Sequence, residues 1–364
     1  MQRFQKNPYS LFFSLGAIGL FMGLSVWIIY GFLSADFYLG RVHAHYMVGV
    51  FLLSFVIGFL MTAIPRMSGA PGTSQKELIV QLVPMLSATF WGAFETQEKL
   101  FFGSLVVALI VLFVFCFRRI ATSPNVVPDV FPFVIISLLS GLVGAILFIL
   151  DFPEIAGRLF YMNMILGLCV GVGARLIPMI LGTGCAKPYG VKEMWLIGLL
   201  LVGSSFIEIY GNESYGNFLR FLLILVVFFR YWTVQRSSGF HSSVSWGVRI
   251  AAVSILFGTM GLWLVPQYRL EALHLLFISG FGLLTLMVAS RVILAHGNHN
   301  LSLEIKNLFI KIPIGLIILA SATRISAVFV DGYQRHLGYA ALLFLVAGLV
   351  WSFFFIPKLI VKKS

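Results

Sequence analysis

The strongest constraint on the fold is a series of long apolar runs that a soluble protein could not bury. One of them extends from Val42 to Pro65, 24 residues without a formal charge, which is long enough to cross a bilayer as a helix. Similar runs recur along the chain, and 60% of its residues are hydrophobic whereas only 10% are charged. This composition is typical of a polytopic membrane protein and excludes a soluble globular enzyme.

The apolar runs predict a single all-α domain over residues 1–364, because each crossing needs about 20 predominantly apolar residues. Twelve transmembrane helices are predicted, over residues 10–33, 42–65, 77–97, 99–117, 129–150, 158–182, 193–210, 215–235, 246–265, 270–295, 306–330 and 336–357. The connections between them are short and polar. We therefore expect one helical bundle without a separate soluble domain.

The basic residues show how the chain is oriented in the membrane. They gather at the termini and in the loops after even-numbered helices, as Arg66, Arg118 and Lys358 do, whereas acids such as Asp151 and Glu213 lie in the other loops. Cytoplasmic loops carry this excess of Lys and Arg. The pattern predicts a bacterial inner-membrane protein with both termini in the cytoplasm. Its net charge of +12 then reflects topology and attraction to membrane lipid, not binding of nucleic acid.

Three arginines lie well inside predicted spans: Arg175, Arg291 and Arg324. A charge at that depth costs several kcal/mol unless it is paired or hydrated. The chain offers almost no carboxylate in the interior of the predicted spans, so an anion from outside the chain is an attractive partner. That anion would be a cofactor carboxylate or an anionic substrate, although backbone carbonyls and water are an alternative.

The histidines fall at two depths. His43, His45 and His274 start helices at the predicted outer face, whereas His296 ends its helix at the inner face. His274 and His296 are 22 residues apart, about 33 Å along a helix, so they cannot bind one metal ion. On a helix, His43 and His45 point about 200° apart. Either they serve two different centres, or one is a ligand and the other meets the lipid headgroups.

A pair of histidines from facing transmembrane helices is typical of axial ligation of haem iron. His43 or His45 could pair with His274 in this way, and Arg324 lies at a suitable depth to neutralise a haem propionate. Tyr161 and Asn163 are polar enough to line a cavity on helix six. The competing hypothesis is a transporter whose intramembrane arginines bind a small anionic substrate.

Three segments resemble conserved motifs of the NnrS family of membrane proteins. They are "HAHYMVGVFLLSFVIGFLMTAIPRMSGAP" on predicted helix two, "GARLIPMI" on helix six and "HLLFISGFGLLTLMVASRVILAH" on helix ten. Where the family has a glutamate after the paired histidines, this chain has Tyr46, and the end of the helix-ten motif also differs after His296. Loss of the glutamate removes a carboxylate that could orient a ligating histidine.

The resemblance implies a haem- and copper-containing protein associated with nitric oxide. It implies haem b as the main cofactor, copper as a further metal, and His43, His45, His274 and His296 as metal-ligand candidates, with Arg175, Arg291 and Arg324 near the cofactor. Partners would be nitric oxide or a related small ligand and an electron-transfer partner. Key residues on helices two, six and ten also suggest three four-helix units, similar to the catalytic subunit of haem-copper oxidases.

Overall fold

A computed structural model describes residues 2–33, 39–125, 129–184, 190–236 and 241–360, and these residues form helices and no strands. Twelve long helices follow one another within these ranges. They are α1 (Tyr9–Phe32), α2 (Gly40–Ser68), α3 (Gln75–Trp91), α4 (Glu98–Ala121), α5 (Phe131–Ile149), α6 (Pro153–Leu181), α7 (Val191–Gly211), α8 (Glu213–Tyr231), α9 (Ser243–Leu264), α10 (Pro266–His296), α11 (Leu308–Ser326) and α12 (Tyr333–Ile360). The chain is thus an all-α polytopic membrane protein, as predicted.

Eleven of the described helices are long and apolar enough to cross a membrane, and α3, with 17 residues, is shorter. It nevertheless extends along the full height of its neighbours. At one end Arg119 of α4 pairs with Glu77 at 2.8 Å, and at the other the Tyr46 hydroxyl of α2 donates to the Thr89 carbonyl at 2.9 Å. The predicted span 77–97 was too long at its end, because the chain turns after Trp91 and forms a separate 3₁₀ turn at Glu95–Gln97.

The helix contacts repeat three times along the chain. In each group of four, α1–α4, α5–α8 and α9–α12, the first helix packs against the second and the third against the fourth. The groups join in a ring through α4 with α5, α8 with α9, and α12 with α1. The central helix α10 contacts both α2 and α6 inside this ring. The arrangement agrees with three four-helix units.

Each central helix contains a π-helical segment near the same end of the bundle: His45–Leu52 in α2, Arg158–Asn163 in α6 and Leu275–Gly282 in α10. A π-helical turn widens the helix locally and is frequent at functional sites. In α2 it is held by a close approach of α1, since a Cβ on Gly19 would lie 2.8 Å from the Phe51 nitrogen. The three segments therefore share one depth, next to the first cavity described below.

The two ends of the bundle differ in charge. The acidic end, where α2, α4, α6, α8, α10 and α12 begin, carries Glu98, Asp151 and Glu213. The basic end carries Arg66, Arg118 and Lys358. Between them the outer surface presents large apolar side chains such as Val107 and Phe257, which is what a lipid-facing surface requires.

Candidate functional site

A cavity of about 340 Å³ lies at the acidic end between the three central helices, within the size range of ligand pockets. His43 of α2 and His274 of α10 both line it, as do Tyr161 of α6 and Trp27 of α1. The two histidines that the sequence predicts to act together, one from α2 and His274, therefore line the same cavity. We call it the histidine cavity.

Both cavity histidines present the same ring nitrogen for binding. The Nδ1 atom of His43 lies 2.8 Å from the carbonyl oxygen of Gly23, and Nδ1 of His274 lies 2.7 Å from that of Leu270. A carbonyl oxygen can only accept, so each Nδ1 carries the proton and donates it. In a neutral imidazole the lone pair is then on Nε2, which is the usual arrangement of a metal-ligating histidine.

Three arginines line the same cavity: Arg158, Arg269 and Arg324. Arg324 is only 5% exposed, and its Nη1 atom is buried without a hydrogen-bond acceptor among the described residues. The nearest carboxylate oxygen, Glu271 Oε1, is 3.6 Å away, beyond good hydrogen-bonding distance. The cavity therefore combines two imidazole side chains whose Nε2 lone pairs can bind a metal with guanidinium groups that can donate to an anionic ligand.

Glu208 of α7 positions the other two arginines. Its buried carboxylate accepts from Arg158, Arg220 and Arg269, each at 2.7 Å, and Arg269 also donates to Glu213 at 2.6 Å. One buried negative charge thus fixes three cations from α6, α8 and α10. Two of these cations, Arg158 and Arg269, line the histidine cavity.

His45 points away from the histidine cavity, as its spacing from His43 predicts. It is fully buried, stacks on Phe101 at 4.2 Å and packs edge-on to Phe102. Its ring nitrogens have no hydrogen-bond partner among the described residues, and Nε2 lies 3.7 Å from Glu98 Oε1. It does not meet the headgroups, because α4 covers it. Glu98 of α4 therefore supplies a carboxylate beside His45. The residue after His45 in the chain, Tyr46, has no carboxylate.

A second cavity of about 300 Å³, which we call the arginine cavity, lies at the basic end and contains the other predicted site residues. Arg66, Arg175, Arg291 and His296 line it. Arg291 does not need an anion from outside the chain, since Glu304 accepts from it at 2.7 Å and is itself 1% exposed. The sequence did not reveal this pair because Glu304 lies just before the predicted span 306–330.

A small apolar cavity of about 90 Å³ lies between the two cavities, in the middle of the bundle. Leu52 borders both this cavity and the histidine cavity, and Phe59 borders both it and the arginine cavity. The three segments singled out in the sequence, on α2, α6 and α10, thus meet along one axis.

The NnrS protein family model matches residues 3–363, nearly the whole chain. The chain belongs to the NnrS family. Membership associates it, at the level of the family, with nitric oxide metabolism. No curated protein matches it significantly.

The residues of this NnrS-family protein fit a haem group at the histidine cavity. His43 and His274 would hold the iron through their Nε2 lone pairs, and Arg324, whose buried Nη1 has no hydrogen-bond acceptor among the described residues, would pair with a carboxylate of the group. Copper fits less well. Within the described ranges no group of three or more His, Cys, Asp or Glu side chains could hold a metal ion, and His45 with Glu98 offers only two donors.

Sequence reasoning missed Arg158 and Arg269 as site residues, because it treated them as loop charges that report topology. The sequence carried a usable signal for one of them. Arg158 lies three residues before Tyr161, a spacing that shares a helix face. Arg269 lies five residues before His274, which places the two about 140° apart on an α-helix and gave no such signal.

Proposed function

We propose that this NnrS-family protein holds haem b between His43 and His274 and binds or processes nitric oxide there. The observation that carries the proposal is the pair of histidines that line one cavity, each with Nδ1 hydrogen-bonded to a backbone carbonyl so that Nε2 keeps its lone pair. When bound, haem would supply an iron centre that binds nitric oxide and exchanges electrons with a partner protein or carrier. The protein would lie in the bacterial inner membrane with both termini in the cytoplasm.

The chain's own residues would hold the group and select its surroundings. Gly23 and Leu270 fix the orientation and tautomer of the two histidines. Arg324, with Arg158 and Arg269, would neutralise the carboxylates at the rim. Ion pairs between these arginines and a carboxylate would be strong because the buried site excludes water.

The apolar walls suit a small uncharged ligand. Leu24, Phe51 and Phe277 line the histidine cavity away from the arginines. Nitric oxide is neutral and partitions readily into apolar surroundings, so the bilayer and the bundle interior present no electrostatic barrier to it. If both histidines bind iron, one of them must dissociate before nitric oxide can bind directly.

The test is the haem content of protein purified from haem-replete cells. We expect a Soret band and, for His43→Ala and His274→Ala, a loss of bound haem of about tenfold or more, since even indirect partners of metal ligands affect affinity by 10–100-fold. His336→Ala is the matched control: it lies at the same end, on α12, and does not line the cavity.

The absorption spectrum also tests whether nitric oxide binds to the protein. Addition of nitric oxide to the reduced protein should shift the Soret band. Folded wild-type protein without haem would contradict the proposal and favour transport of an anionic substrate. Equal loss of haem in all three histidine variants would show that the effect is not specific to the cavity.

A further inference from the structure

The arginine cavity carries basic groups that the proposed haem site does not use. It is bordered by α2, α5, α6 and α10, and its polar lining consists of Arg66, Arg175, Arg291 and His296. No acidic side chain lines it within the described residues. The remaining walls are apolar and include Phe131 and Val288.

Each of these four polar side chains carries an N–H donor. A guanidinium can only donate, so the contact between Arg66 Nη1 and His296 Nδ1 makes the imidazole nitrogen the acceptor. The neutral ring then carries its proton on Nε2, opposite to the arrangement in His43 and His274. The described side chains of the lining thus offer three guanidinium groups and one imidazole N–H, and their one acceptor, Nδ1 of His296, is already used by Arg66, a set that favours an anionic ligand.

The charges of the cavity are only partly balanced by the protein. Arg291 is paired with Glu304, and Arg66 donates to the Asn7 side chain at 3.2 Å and to the Lys6 carbonyl. Arg175 has no hydrogen bond or ion pair with any described residue. It lies six residues before the end of α6, about 9 Å below the basic end, where an unpaired charge is costly.

Two exposed side chains of α6 line the cavity near the basic end. Arg175 and Met179, one helical turn apart, both line the cavity and are both exposed. A ligand that enters here meets guanidinium groups near the headgroup level and apolar side chains next to them. This combination suits an amphiphile with an anionic head and hydrocarbon chains.

We propose that the arginine cavity binds the phosphodiester headgroup of an anionic phospholipid from the leaflet at the basic end. Arg175 and Arg66 form charge-assisted hydrogen bonds to the phosphate oxygens, His296 donates from Nε2, and the acyl chains lie along Met179 and Phe131. Arg-phosphate pairs are among the strongest hydrogen bonds in proteins, and the membrane supplies the ligand at high local concentration.

Native mass spectrometry of protein from nanodiscs tests the site. In nanodiscs of phosphatidylcholine with a minor fraction of phosphatidylglycerol, the wild type should retain one phosphatidylglycerol after most lipid is removed. Arg175→Gln should weaken this binding by about tenfold or more, because one charge-assisted hydrogen bond is lost. Arg175→Lys keeps the charge and should retain more lipid than the glutamine variant.

Arg118→Gln is the matched control, since Arg118 is exposed at the same end of the bundle but does not line the cavity. Equal lipid loss in this variant and in Arg175→Gln would overturn the proposal, because it would show general charge attraction. Inorganic phosphate added without lipid is the second arm. Binding of phosphate with no retained phosphatidylglycerol would overturn the lipid assignment, and binding of neither would overturn the site. The readout is independent of haem.

Discussion

At the residue scale, the hydrogen-bond partner of each histidine decides what the side chain can do. The protonated Nδ1 atoms of His43 and His274 donate to backbone carbonyls and the lone pair stays on Nε2, whereas Arg66 makes His296 a donor at Nε2. His45 is packed against two aromatic rings. The four histidines proposed from the sequence as metal ligands thus fall into three chemically different kinds in the folded protein.

Arg324 gives the first prediction at this scale. Its Nη1 is buried without an acceptor, a situation that costs about 1–3 kcal/mol unless a ligand pairs with it. Arg324→Gln should therefore lower the haem retained after detergent washing by about tenfold, measured as the ratio of Soret to protein absorbance. Arg335→Gln, an exposed arginine at the same end, should not change it. Unaltered stoichiometry in Arg324→Gln would count against a carboxylate at this position.

At the element scale, buried ion pairs and π-helical segments fix the central helices against their neighbours. Glu208 of α7 connects α6, α8 and α10 through Arg158, Arg220 and Arg269. The π-helical segments of α2, α6 and α10 lie at the same depth and border the histidine cavity. The cavity is therefore held open by contacts between elements and not by any one helix.

Removal of the Glu208 charge should loosen this arrangement. Glu208→Gln leaves Arg220, 1% exposed in its side chain, without a counter-charge, and breaking a buried pair costs about 3–5 kcal/mol. We expect a lower midpoint of thermal unfolding in detergent and weaker haem retention. Glu213→Gln is the control, since its side chain is 49% exposed and such pairs contribute about 0–1 kcal/mol. Equal midpoints for both variants would show that the ion pairs of Glu208 do not stabilise the bundle.

At the scale of the whole molecule, three cavities follow one axis through three repeated four-helix units. His43 and His274 line the cavity at the acidic end, arginines and His296 line the cavity at the basic end, and an apolar cavity lies between them. The charge of the two ends follows the same axis. Orientation in the membrane therefore decides which compartment each cavity is nearest to.

Reporter fusions at the C terminus test this orientation. Because Lys and Arg predominate at the basic end, we expect both termini in the cytoplasm. A green fluorescent protein fused after Ser364 should be fluorescent, and alkaline phosphatase at the same position should be inactive. The reverse result would place the histidine cavity near the cytoplasm and contradict the predicted topology.

The sequence by itself determined the fold class, the approximate helices and the position of an α2 histidine and His274 at the same end of the bundle. These follow from local physics: a bilayer requires apolar helices of a minimum length, and helical spacing separates His43 from His45. The family motifs added the helices on which the site is built. The end of α3 was placed too late because hydropathy does not detect the turn after Trp91.

Only the tertiary structure decided which charges neutralise one another and which groups remain free. Glu304 pairs with Arg291, Glu208 collects three arginines, and Glu98 approaches His45, although these partners are distant in sequence or lie just outside a predicted span. Electrostatic pairing depends on distance in space, and no helical period encodes the contacts between different helices. For the same reason the tautomers of His43, His274 and His296 became known only when their neighbours were in place.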